Sequence, residues 1–128
     1  MAVTSGFFNS VAGDRRYDAV QMASIFDGII KDGVYQSIGN AFAVTANNTL
    51  TINVGTGRAW FDHSWTKNDT LLPILMSASE VVTNRWDTVV LETNFTDAAR
   101  VNTIKVIKGT AAASPSYPAL IRNATVNQ

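Results

Sequence analysis

The chain has 128 residues, with 10 basic and 10 acidic side chains, 46% apolar residues and no cysteine. That length suits one domain, and the apolar fraction argues against wholesale disorder. Charge neutrality removes the electrostatic footprint expected of a nucleic-acid or anionic-membrane binder, and the lack of cysteine removes disulfides, thiolate metal sites and thiol nucleophiles.

The first stretch, 1–17, reads as an irregular arm punctuated by Gly6, Asn9, Ser10, Gly13 and Asp14. Its mild apolarity running into Asp14, Arg15 and Arg16 has the wrong order for a signal peptide. Phe7 and Phe8 sit in the arm without a helical or strand period, so they must bury either in their own core or on a partner. A helix is predicted from Asp18 to about Lys31. Val20, Ala23, Ile25, Phe26, Ile29 and Ile30 follow the spacing of one apolar face, Asp18 caps the start, and Gly33 stops it. Gly28 is a weak point in that pattern, costing roughly 1 kcal/mol relative to Ala, and marks a place where the helix can break.

From Ala41 the apolar period becomes two. Phe42, Val44 and Ala46, a turn at Asn47-Asn48, then Leu50, Ile52 and Val54 predict a hairpin. Gly55-Thr56-Gly57 lacks the lysine and following helix of a phosphate loop and reads as a turn. A second hairpin follows, Arg58–Phe61 against Trp65–Lys67 around an Asp62-His63-Ser64 corner. Leu71–Met76 reads as an edge strand, because Pro73 cannot donate to a ladder. Asp87–Asn94 and Val101–Lys108 form the clearest strand pair, the second apolar on both sides as in a sheet interior. Trp86 opens this pair as a core residue. After Gly109, residues 110–128 read as an exit linker, extended at Ser114-Pro115 and Tyr117-Pro118. No apolar run is long enough to span a bilayer, and no repeat of useful period occurs. The predicted fold class is α+β, mainly antiparallel hairpins in a sheet or small sandwich behind one N-terminal helix.

No constellation of groups points to catalysis or a cofactor. His63 is the single histidine, too few for a zinc site, and neighbours in a corner diverge too much for Asp62, His63 and Ser64 to form a triad. The carboxylates are scattered over turns and helix ends, although sequence alone leaves a glycosidase pair open. Four Asn-x-Ser/Thr sequons, at Asn47, Asn68, Asn94 and Asn123, are a chance product of an Asn- and Thr-rich chain without a leader. Trp60 and Trp65, with Asp62 and His63, admit two readings: a cross-strand aromatic pair closing the hairpin, or a surface that stacks host cell-wall sugar.

Several phrases together resemble the N-terminal domain of phage baseplate and tail-fibre proteins. They are Gly6-Phe7-Phe8-Asn9-Ser10, Gly13-Asp14-Arg15-Arg16-Tyr17, Phe26 to Val34, Val54 to Phe61, Arg85 to Glu92 and Ile104 to Gly109. The resemblance spans residues 6 to 118. It implies a non-catalytic structural protein of the virion tail or baseplate, a homo-oligomer and often a trimer, docked to other tail proteins and leading beyond residue 128 into further domains. On that reading Phe7, Phe8, Arg15, Arg16 and Tyr17 are the candidate docking residues.

Overall fold

The computed structural model describes residues 5–79 and 81–128, so the first four residues of the arm and Glu80 lie outside the described residues. The chain is mainly antiparallel β with one short helix, as its alternating apolar pattern predicts.

The helix is shorter than predicted. α1 covers Ala19–Ser24, opened by a capping box in which Asp18 Oδ1 accepts from the Gln21 amide (2.8 Å) while Gln21 Oε1 accepts from the Asp18 amide (3.0 Å). Beyond Ser24 the chain makes tight turns, and the amides of Ile29 and Ile30 both donate to the Phe26 carbonyl (2.9 Å each). The bonding tightens to i→i−3 before that point, the Phe26 and Asp27 amides donating to Ala23 and Ser24, and Gly28 at φ 80° then keeps the right-handed helix from resuming. The predicted extension to Lys31 is therefore corrected to about one and a half turns.

Among the described residues the strands form three sheets. β1 (Gly33–Val34), β4 (Gly57–Phe61) and β5 (Ser64–Asn68) lie in the order β1-β4-β5. β2 (Val44–Ala46), β3 (Thr51–Val54) and β6 (Leu72–Leu75) lie in the order β2-β3-β6, so the strand containing Pro73 is an edge. β7 (Thr88–Asn94), β8 (Val101–Ile107) and β9 (Val126–Asn127) lie in the order β8-β7-β9.

The two-residue connection of β4 to β5 uses Asp62 and His63 at φ 47° and 61°, which matches the twist of a tight hairpin and pairs Phe61 with Ser64. Gly55-Thr56-Gly57 is not the tip of a hairpin. It carries the chain from one sheet to the next beneath the 39–43 loop, whose Asn40 and Phe42 amides donate to the Thr56 carbonyl. A Cβ on Gly57 would fall 2.8 Å from the Phe42 nitrogen, so close backbone approach explains the glycine.

The strand read as interior is an edge. β8 flanks β7, and β9 takes the other side of β7, with Thr93 facing Asn127 and Asn94 facing Val126. Residues 110–128 therefore return to the body instead of leaving it. Ala112 bridges Asn84, and the Phe95 amide donates to the Thr125 carbonyl (2.7 Å). Trp86 precedes β7 and lies against Tyr117 with ring centroids 4.7 Å apart, largely outside the core. Val54, Ala59, Trp60 and Val90 are the buried apolar side chains among the described residues. That is a small core for this length.

Candidate functional site

The arm residues are held by local contacts and remain open to solvent. Phe7 and Phe8 are 66% and 57% exposed. The Phe7 ring lies 5.8 Å from the Tyr17 ring, and the Phe8 amide donates to Tyr17 Oη (3.0 Å). Asp14 organises the bend, its Oδ1 accepting from the Val11 amide (2.7 Å) and Ser10 Oγ (3.3 Å), while Arg15 Nε stands 3.6 Å from its other oxygen. Arg16 is exposed beside them. Between arm and helix lies a hollow of about 180 Å³ lined by Phe7, Tyr17, Met22 and Ile25. The structure thus gathers Phe7, Phe8 and Tyr17 at one place, with the two arginines following along the same segment.

The four residues at the hairpin corner do not converge. Trp60 is 8% exposed and meets the edge of Phe26 at 5.5 Å between centroids. The Asp62 carboxylate accepts from Asn127 Nδ2 (2.6 Å), and its amide donates to Asp32 Oδ1 (3.1 Å). His63 Nδ1 pairs with Asp27 (3.0 Å). Ser64 Oγ turns away, to the Phe61 carbonyl, Thr93 and Asn102. Trp65 stays 69% exposed. The Asp62 and His63 side chains thus pair with neighbouring segments, Trp60 is interior, and Trp65 and His63 stay exposed. Although Trp60 and Trp65 are direct cross-strand partners, Phe26 shields the first and leaves the second bare.

Two polar clusters inside the β body escaped the sequence reading. Arg85, with a side chain 6% exposed, donates to both carboxylate oxygens of Asp87 (Nε 2.8 Å, Nη2 3.1 Å) and to the carbonyls of Ser77 and Ala78. The Arg85 guanidinium beside Asp87 holds that carboxyl below its ordinary range, helped by the Gly109 amide and opposed by desolvation. Glu92 Oε2 accepts from Lys105 Nζ (2.5 Å) and Gln128 Nε2 (2.7 Å), and these bonds, Lys105 first, lower its pKa. The Arg-x-Asp spacing was the available signal for the first cluster. The second joins three distant positions, which no local pattern reveals. Both lock elements together; neither opens on a cavity with a nucleophile. Among the described residues no group of three or more His, Asp or Glu side chains is arranged to hold a metal ion, and no helix is long and apolar enough to cross a membrane.

The most telling feature is the surface as a whole. The chain exposes 9327 Å², against roughly 6600 Å² for a compact monomer of its 13.8 kDa mass, an excess of roughly 2700 Å². Much of the surface is apolar: Val81 is 98% exposed, and Val11, Val20, Ile29 and Leu75 each keep about three quarters of their surface open. No family model, curated protein or solved structure matches the chain.

Proposed function

We propose that this protein is a non-catalytic structural subunit, an attachment domain of a phage tail or baseplate that assembles with copies of itself and docks to neighbouring tail proteins through its N-terminal arm. The excess of exposed, largely apolar surface carries the reading. Monomers rarely leave apolar patches of more than a few hundred Å² in water, whereas obligate subunit interfaces bury about 2000–5000 Å² in total. That excess is per chain, so two copies covering each other's would bury roughly 5400 Å² in total, at the upper end of obligate interfaces. At the arm, Phe7, Phe8 and Tyr17 present aromatic rings, and Arg15 and Arg16 present guanidinium groups, the side-chain types enriched at interface centres. A neutral chain meets its own copies without long-range repulsion. The tail or baseplate setting rests on the ordered phrases between residues 6 and 118.

Deleting residues 1–16 tests the reading. The truncated protein is expected to keep its β signature by circular dichroism and to be missing from assembled particles. Normal incorporation of the truncated chain refutes the docking role.

A further inference from the structure

A groove of about 540 Å³ runs between β5 and the loop joining β7 to β8. Its walls are aromatic and apolar, with Trp65 on one side and Phe95 and Val101, both substantially exposed, on the other. Asn102 fixes the floor: its Nδ2 donates to Ser64 Oγ (2.9 Å), the Trp65 carbonyl (3.1 Å) and Thr66 Oγ1 (2.8 Å), tying β8 to β5. The lining includes two cations, Lys67 and Arg100, and no carboxylate. Lys67 Nζ is 3.3 Å from Asp69, a neighbour outside the groove. Arg100 ends the β7–β8 loop, where its backbone amide donates to the Thr96 carbonyl (3.1 Å), and its guanidinium has no hydrogen-bond or ion-pair partner among the described residues. Asn94 accepts from Thr96 through Oδ1, which leaves its amide nitrogen without a described partner.

We propose that this groove binds a polysaccharide containing uronic acid, with a pyranose ring stacked on Trp65 and its carboxylate held by Arg100. A flat, rigid indole offers the broad apolar face that the C–H side of a pyranose covers. A guanidinium offers a planar fork that matches a carboxylate. A neutral sugar supplies the ring face and leaves Arg100 without a counter-charge. A polyol phosphate supplies charge and no ring face. A uronate supplies both the ring face for Trp65 and the planar carboxylate for Arg100, and the volume lies within the range of small-ligand sites. Trp60, Asp62 and His63 take no part, since the fold engages each of them elsewhere. The proposal uses a different surface from the arm and does not depend on the docking reading.

The test is titration of the full chain with short oligogalacturonate, oligomannuronate and hyaluronan oligomers, with maltotriose as the neutral comparison, followed by tryptophan fluorescence and calorimetry. At least one uronate is expected to bind about tenfold or more tightly than maltotriose and to weaken as salt rises. Trp65→Ala should abolish that binding, and R100Q should weaken it roughly tenfold or more, the loss expected for a charge-assisted hydrogen bond. Both positions are solvent-facing, and circular dichroism checks that the variants stay folded. Failure of all three uronates at about 10 mM overturns the proposal, as does uronate binding that survives Trp65→Ala. If Trp65→Ala instead lowers the molar mass seen by light scattering and no uronate binds, the groove is a subunit contact and the sugar reading falls while assembly stands.

Discussion

The β7–β8 hairpin with its returning tail and the N-terminal third of the chain are both rich in apolar residues, yet they end in opposite states. In the first, Val90 is buried, Arg85 and Glu92 have their charges met inside the fold, and β9 closes one side of β7. In the second, Phe7, Phe8, Val20 and Ile29 face water, and α1 has no buried residue. Apolar content alone therefore does not make a core. A segment becomes interior where strands bring partners to both its faces, and the arm and helix meet too little of their own chain to be covered. An exposed apolar surface of this extent costs solubility in a free monomer and contributes stability once another polypeptide lies on it.

That contrast makes the body fragile to internal changes and the arm tolerant of them. The largest effect is expected for Arg85→Ala, which strips the Asp87 carboxylate of its guanidinium, leaving it only the Gly109 amide, and takes the donor from two carbonyls in a covered site. A loss of about 3–5 kcal/mol, read from urea unfolding, is the expected outcome; a loss below about 1 kcal/mol would show that water replaces the guanidinium at little cost. Gln128→Ala removes a donor to Glu92 and the side-chain acceptor of the Ile121 amide, and should cost about 1–2 kcal/mol while freeing the tail to hydrogen exchange. At the small end, Phe7→Ser with Phe8→Ser should change stability by less than about 0.5 kcal/mol and still prevent assembly. A large loss of stability there would mean that the arm belongs to the core after all.

Acid should act on the body in the same sense. Asp87 and Glu92 both have pKa values lowered by folding, so the unfolded chain binds protons more readily than the folded one. Their contribution is fully present above the unfolded carboxylate range of about 4–4.5 and is lost as pH falls through the lower folded values. Urea midpoints measured from pH 7 down to pH 3 should fall, and D87N should reduce the steepness of that fall.

Much of this architecture is legible in the residues. Alternation around Val44–Val54 and Arg58–Lys67 marks the hairpins, Asp62-His63-Ser64 marks a tight corner whose two-residue turn the fold narrows to Asp62-His63, and Pro73 marks an edge. What stayed hidden depends on contacts distant in sequence. Gly28 marks a weak point in the sequence, but the helix already tightens and ends at Ser24, before the left-handed glycine is reached. The Ala-, Ser- and Pro-containing stretch after Gly109 carries the local marks of a linker, and only β9 pairing with β7 shows that it returns. At the candidate sites, the lack of period around Phe7 and Phe8 left burial in their own core and burial on a partner both open, and their exposure in the fold removes the first. The separate fates of Trp60 and Trp65 were not legible, because they turn on Phe26 lying over one indole and not the other.

If this surface is covered by other copies of the chain, the molar mass of the full chain in solution shows it most directly. Light scattering at about 100 μM, well above the dissociation constants of stable subunit interfaces, should give a multiple of 13.8 kDa. A folded monomer of 13.8 kDa that stays soluble and solitary at that concentration would contradict it.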